Sequence, residues 1–207
     1  MKIEQVLALA PVVPVLTIEE ADHAVPLAKA LVAGGLYALE VTLRTPAALE
    51  AIGRIAAEVE QAVPGVGTVT SREQRRAAAD AGARFAVSPG LVDGEGPDGP
   101  IPLLPGIATA TELMWGLKHG FTCFKLFPAN VVGGLGALKA FAGPFPDAKF
   151  CPTGGIDAEN AAGYLALPNV ACVGGSWVAP ADAVRAGDWA RITELAKAAS
   201  GLKAKAA

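Results

Sequence analysis

Histidine, aromatic side chains and a surplus of either charge are all scarce in this 207-residue chain. The two histidines, His23 and His119, both fall near predicted helices and give no raw material for a histidine metal cluster. Aromatics make up 6% of the residues, too few for a base-stacking surface. Seventeen basic residues stand against twenty acidic ones, for a net charge of -3, and they are scattered. A nucleic-acid surface needs a basic stripe, and none is present. The three cysteines, Cys123, Cys151 and Cys172, are odd in number and form no C-x-x-C pair, which argues against a disulfide framework or a zinc knuckle. Each falls in a predicted strand and reads as a small buried hydrophobe in a reducing compartment. Uninterrupted apolar runs are also lacking. Asn160 to Ala181 is uncharged and long enough to span a membrane, but Pro168, Asn169, Gly174 and Gly175 break it into helix, turn, strand and loop. Ala8-Leu9-Ala10 resembles a signal-cleavage site, yet the apolar run before it is short and Glu4 is misplaced. The expectation is a soluble, cytoplasmic protein with no nucleic-acid or membrane partner.

What is present is a globular composition, 52% apolar and 18% charged. The length suits one domain, taken as residues 1–207. A leading helix over 2–10 is followed by a repeating cycle of short apolar strands and helices. The strands are expected at 11–16, 37–43, 63–69, 84–87, 101–104, 123–128, 150–152 and 170–173. Several helices carry start signals: Asp22, Ser71, Thr109 or Thr111, and Asp157 as caps, and Pro46 in a first turn. The last helix, 181–202, reads as one or two pieces. Strands apolar on both faces, each followed by a helix, predict parallel pairing. Eight such units predict a single-domain α/β fold, a (β/α)8 TIM barrel. A doubly wound open sheet is the alternative. One crossover differs: Gly94, Gly96, Gly99, Pro97 and Pro100 cannot sustain a helix between Val92 and Pro100, so a shortened loop is expected after the fourth strand.

One strand carries the chemical signal. Lys125 sits in Cys123-Phe124-Lys125-Leu126-Phe127-Pro128 with no acid within ten residues. Lysines are seldom fully buried, and withdrawal from water favours the neutral, nucleophilic amine. Side chains alternate along a strand. In Leu39-Glu40-Val41-Thr42-Leu43-Arg44 the apolar set suits the helix layer, so Glu40, Thr42 and Arg44 face inward. By the same parity Cys123, Lys125 and Phe127 face inward. A structural ion pair between Glu40 and Lys125 is one reading; it is costly to build, which favours a functional pair. Arg44 on its own also reads as a surface residue. Thr153-Gly154-Gly155 and Gly174-Gly175-Ser176 end the seventh and eighth strands, where backbone N–H groups of a barrel close on phosphate. Together these parts describe a class I aldolase: Lys125 forms an iminium with a ketone, Glu40 moves protons, and Arg44 grips a carboxylate. No metal or cofactor is required.

Seven motifs then carry a resemblance: Leu39-Glu40-Val41-Thr42-Leu43-Arg44-Thr45, Gly67-Thr68-Val69, Ser88-Pro89-Gly90-Leu91, Leu104-Pro105-Gly106-Ile107, Phe124-Lys125-Leu126-Phe127-Pro128-Ala129, Phe150-Cys151-Pro152-Thr153-Gly154-Gly155-Ile156 and Gly174-Gly175-Ser176-Trp177. In this order the chain closely resembles the 2-keto-3-deoxy-6-phosphogluconate aldolases. The resemblance implies a carbon–carbon lyase of the Entner–Doudoroff pathway. Such a lyase cleaves a phosphorylated 2-keto acid, 2-dehydro-3-deoxy-6-phosphogluconate, to pyruvate and glyceraldehyde 3-phosphate. It also implies action on 4-hydroxy-2-oxoglutarate and a homotrimer. By position it places the Schiff-base lysine on Lys125 and the proton-transfer glutamate on Glu40. The carboxylate contacts fall on Arg44 and Thr68, the pocket on Pro89, Phe127 and Thr153, and the phosphate contacts on Gly154, Gly155 and Ser176. Two departures stand out: the Val92–Pro100 loop replaces a helix, and Asn130 stands where the family commonly has an acid. Two rivals remain: a phosphosugar isomerase or epimerase that forms no imine, and a non-catalytic, assembly-forming barrel derived from an aldolase.

Overall fold

The computed structural model describes residues 1–202. It opens with a short helix, α1 (Ile3–Leu7), and then alternates strands and helices: β1 (Val12–Leu16), α2 (Ala24–Ala33), β2 (Ala38–Thr42), α3 (Ala48–Glu58), β3 (Val63–Gly67), α4 (Arg72–Asp80) and β4 (Phe85–Val87). After a helix-free segment come β5 (Leu103–Leu104), β6 (Gly106–Ile107), α5 (Ala110–Lys118), β7 (Cys123–Leu126), α6 (Gly134–Ala142) and β8 (Lys149–Phe150). The chain finishes with α7 (Ala161–Leu165), β9 (Val173–Gly175), α8 (Ala181–Ala186) and α9 (Trp189–Ser200).

The helices form where periodicity and caps coincide. Ala48, Ala51, Ile52 and Ile55 make one buried stripe on α3, the spacing of a core-facing helix. The Ser71 hydroxyl accepts from Gln74 N–H to open α4, and Thr109 with Glu112 closes a capping box on α5. Two expected caps behave differently. Asp22 lies in a 3-10 turn and pairs with Arg54, so α2 begins two residues later without a side-chain cap. Asp157 caps a turn, accepting from Glu159 and Asn160, and α7 starts only at Ala161.

All strand ladders are parallel, but they do not make a closed eight-stranded barrel. The expected barrel is replaced by a curled half-barrel of six strands, in the order β5-β4-β3-β2-β1-β9, and a three-stranded sheet, β6-β7-β8. The break has a chemical cause. Pro105 separates β5 from β6 and has no N–H to continue the ladder. On the other side Pro152 ends β8, and only the isolated bridges Phe150↔Val170 and Thr153↔Gly174 reach toward β9. The fifth strand expected at 101–104 is thus shortened, and the eighth, expected at 170–173, forms its ladder at Val173–Gly175. Strand order runs without the reversal that a doubly wound sheet requires.

Parity along the strands holds. Leu39, Val41, Phe124 and Leu126 pack in the cluster shared with the helices. Val13, Ala38, Val63, Phe85, Leu104, Cys123, Cys151 and Cys172 meet in a second cluster that draws on both sheets, and Ile3, Val6 and Leu7 of α1 pack against it. This inner cluster is the floor beneath the polar residues described below. The segment from Val92 to Pro100 forms no helix, as its glycines and prolines predict. It is nevertheless anchored: the Arg75 guanidinium, 1% exposed, pairs with Glu95 and donates to the carbonyls of Gly96, Pro97 and Ile101. Among the described residues no helix is long and apolar enough to cross a membrane.

Candidate active site

Lys125 on β7 and Glu40 on β2 come from strands 85 residues apart and meet inside the curl. Lys125 Nζ donates to Glu40 Oε1 at 3.2 Å, with the residues 4% and 3% exposed. The ammonium also lies 5.0 Å from the centroid of the Phe127 ring, within cation–π range. Glycine makes room for the pair. A Cβ on Gly67, in register with Thr42 on β2, would fall 2.7 Å from Glu40 Cγ and 2.9 Å from Cδ. Two residues beyond β2, Arg44 Nε donates to Thr68 Oγ1 at 3.1 Å. Thr68 has φ 62, a conformation that a β-branched residue adopts only under constraint. That constraint falls where the strand turns its hydroxyl to the arginine.

Above Lys125 lies a cavity of about 230 Å³. Of the residues expected at the site, Arg44, Lys125, Phe127, Thr153, Gly154, Gly155 and Ser176 line it. Glu40 joins through Lys125, and Thr68 joins through Arg44. Pro89 does not line this cavity: it is exposed, and its carbonyl sits against Gly106. Thr153 Oγ1 donates to the Cys151 carbonyl at 3.4 Å, and glycine at 174 admits its side chain. Gly154 and Gly155 have φ of 99 and 72, the left-handed region where glycine is at home. Among the described residues, the N–H groups of Gly154, Gly155 and Ser176 donate to no protein atom. Three free donors on one wall, with the Arg44 guanidinium nearby, suit an anion.

Sequence reasoning missed Thr17, which also lines the cavity. Parity on β1 was the available signal: Val13 is in the inner cluster and Val15 lines the cavity, so Thr17 follows on the same face. Its role is set by one proton. Thr42 Oγ1 donates to the Leu16 carbonyl at 2.9 Å and lies 3.2 Å from Thr17 Oγ1. With the Thr42 proton committed, Thr17 donates to Thr42 and keeps acceptor capacity for a ligand.

The floor is apolar and slow to ionise. Burial first, and then the Glu4 carboxylate, push the Cys123 thiol up to about 11. The hydrogen bond with Cys151, followed by burial, raises Cys172 well above its ordinary value. No group of three or more His, Cys, Asp or Glu among the described residues could hold a metal ion. A second cavity of about 200 Å³ is lined by Lys2, Glu4 and Asp98 among others, but these charged residues are all exposed.

A buried amine touching a buried carboxylate, under an arginine and a wall of free N–H donors, is the equipment of an imine-forming enzyme that handles small anions. The chain belongs to the KDPG and KHG aldolase family, whose sequence model matches residues 3–195. It is 57% identical to the 2-dehydro-3-deoxy-phosphogluconate aldolase of Pseudoalteromonas atlantica, over 95% of this chain and 93% of that one. It is 53% identical to the KHG/KDPG aldolase of Escherichia coli, with the same coverage. The crystal structure of KDPG aldolase from Legionella pneumophila, with pyruvate captured at low pH as a covalent carbinolamine intermediate, is 48% identical. It superposes with a TM-score of 0.94, covering 97% of this chain and 99% of that one.

Proposed function

We propose that this chain is a class I aldolase that cleaves 2-dehydro-3-deoxy-6-phosphogluconate to pyruvate and glyceraldehyde 3-phosphate. One observation carries the reading: the Lys125–Glu40 contact of 3.2 Å at the bottom of a cavity whose outer wall presents free N–H groups. A single proton transfer across that contact turns the pair into a neutral amine and a carboxylic acid, the form needed for attack.

The Lys125 amine adds to the substrate's C2 carbonyl, and the carbinolamine oxygen takes the Glu40 proton and leaves as water, which gives an iminium and returns Glu40 to the carboxylate. Glu40 takes the proton from the C4 hydroxyl. The C3–C4 bond breaks, the aldehyde forms at C4, and the bonding pair moves into the iminium to leave an enamine. Glu40 returns a proton to C3, and water then releases pyruvate and restores the amine. Arg44 and Thr68 hold the carboxylate, while Phe127 and Thr153 border the three-carbon unit. The N–H groups of Gly154, Gly155 and Ser176 take the phosphate. No metal or cofactor enters these steps, so activity is expected to survive EDTA. The dual name of the Escherichia coli relative supports cleavage of 4-hydroxy-2-oxoglutarate as well. The reading takes residues 1–207 as one aldolase domain that works as a cytoplasmic homotrimer. The three buried free thiols fit a reducing compartment, and the trimer is what the resemblance to the family implies.

Borohydride treatment in the presence of pyruvate tests the proposal. A reduced three-carbon adduct on Lys125 is expected by mass spectrometry, together with pyruvate release that is lost in Lys125→Ala. Turnover of a phosphosugar without an adduct would support an isomerase instead. Absence of both would support a non-catalytic assembly.

A further inference from the structure

The anion-facing turn is held in place from outside the cavity, through its carbonyl groups. Asn130 N–H donates to the Gly154 carbonyl at 3.1 Å, and Asn160 Nδ2 donates to the Gly155 carbonyl at 2.9 Å. In a trans peptide the C=O and N–H of one planar unit point opposite ways. The Gly154 carbonyl shares its unit with the Gly155 N–H, and the Gly155 carbonyl shares its unit with the Ile156 N–H. Tying each carbonyl outward therefore turns the corresponding N–H toward the cavity. Ile156 lines that cavity, and among the described residues its N–H has no protein acceptor.

The orientation of the Asn160 amide follows from its neighbours. Its Oδ1 accepts from Asp157 N–H at 3.1 Å. A backbone N–H can only donate and a carbonyl can only accept, so Nδ2 must face Gly155. The backbone of Asn160 is tied in turn, its N–H donating to Asp157 Oδ1 at 3.0 Å. The restraint matters because Gly154 and Gly155 have no Cβ to limit peptide rotation.

We propose that Asn160 is a positioning residue for the phosphate end of the cavity. It holds the Gly155–Ile156 peptide so that the Ile156 N–H becomes a fourth donor beside those of Gly154, Gly155 and Ser176. The inference rests on the aldolase reading above. Asn160 touches no reacting atom, so its loss acts on recognition of the phosphate and leaves carbon–carbon cleavage intact.

The test compares Asn160→Ala and Asn160→Ser with the parent enzyme. Serine keeps an oxygen that can accept from Asp157 N–H but is too short to reach Gly155. For each protein, KM and kcat are measured on the phosphorylated sugar acid and on 4-hydroxy-2-oxoglutarate, along with inhibition by inorganic phosphate. Both variants are expected to raise KM for the phosphorylated substrate about tenfold, as for loss of one charge-assisted hydrogen bond. Phosphate inhibition should weaken in step. KM for 4-hydroxy-2-oxoglutarate and kcat on both substrates should stay near the parent's. An unchanged KM for the phosphorylated substrate in either folded variant overturns the proposal, as does an equal rise for both substrates. If the parent enzyme itself shows neither phosphate inhibition nor a preference for the phosphorylated acid, the underlying phosphate site fails first, and that result is visible without any variant.

Discussion

Gly67→Ala should switch off the chemistry while leaving the fold standing. The added Cβ would sit 2.7 Å from Glu40 Cγ and 2.9 Å from Cδ. Non-bonded carbons settle at about 3.5–4.0 Å, so the glutamate must retreat by about 1 Å. The contact it leaves, 3.2 Å to Lys125 Nζ, is already at the long end of the usual hydrogen-bond range. A displacement of about 1 Å in a reacting group can cost about a hundredfold in rate. The general acid–base contribution at stake is about 10²–10⁴-fold. We therefore expect kcat to fall at least about a hundredfold, with a stability loss of about 1–3 kcal/mol from overpacking. Pyruvate release coupled to lactate dehydrogenase reads the first quantity, and urea unfolding reads the second. Gly65→Ala supplies the control two residues back on the same strand. Its Cβ would strike the ring of Phe85 in the inner cluster, so stability should drop similarly with kcat intact. A folded Gly67→Ala enzyme with the parent's kcat would refute the assignment of proton transfer to Glu40.

Two further predictions concern the floor and the anchored loop. With the Cys123 thiol pushed up to about 11, about one molecule in a thousand carries its thiolate at pH 8. With all three free thiols also buried, thiol reagents should leave the native protein unmodified at that pH and react with it only after unfolding. A folded-state pKa above the ordinary 9.0 means that the native state holds its proton longer. The corresponding stability is intact below pH 9 and erodes as pH rises through about 11, which base titration of unfolding would follow. Replacing Arg75 with Met leaves Glu95 paired only with Arg72, at 2.9 Å, and removes the donor from the Gly96, Pro97 and Ile101 carbonyls, which should cost about 1–3 kcal/mol. Urea melts read that loss, and equal stability of the parent and Arg75→Met would disprove the anchor.

Strand parity was the most informative part of the sequence. It brought Glu40 to Lys125 across 85 residues, because alternation depends only on which face is apolar. The caps at Ser71 and Thr109 were legible for the same reason: both ends of each interaction lie within one turn. Asp22 was misread because its partner, Arg54, is remote in sequence. Closure of the sheet was also misread. Strand count and length pointed to a complete barrel, while the effect of Pro105 and Pro152 depends on which neighbour needs the missing N–H. Nor did composition reveal that Arg75 would anchor the glycine-rich loop, since a guanidinium bonding to three carbonyls leaves no pattern along the chain. Thr17 could have been found by applying parity to β1. Asn160 could not, because its role depends on the rotation of a single peptide.

The packed floor also sets a traffic rule. Cys123, Cys151 and Cys172, with α1 pressed against the same cluster, leave the pocket no rear exit. On the proposed mechanism a keto acid joined to Lys125 would occupy the dead end, with its phosphate-bearing half toward the wall of free N–H groups. After cleavage the aldehyde would then depart first, and pyruvate, still covalently held, would depart last. Product inhibition should follow an ordered pattern, with pyruvate competing directly against substrate for the empty enzyme and glyceraldehyde 3-phosphate binding to the pyruvyl form. In the reverse direction the same single entrance requires pyruvate to be loaded before any aldehyde can react.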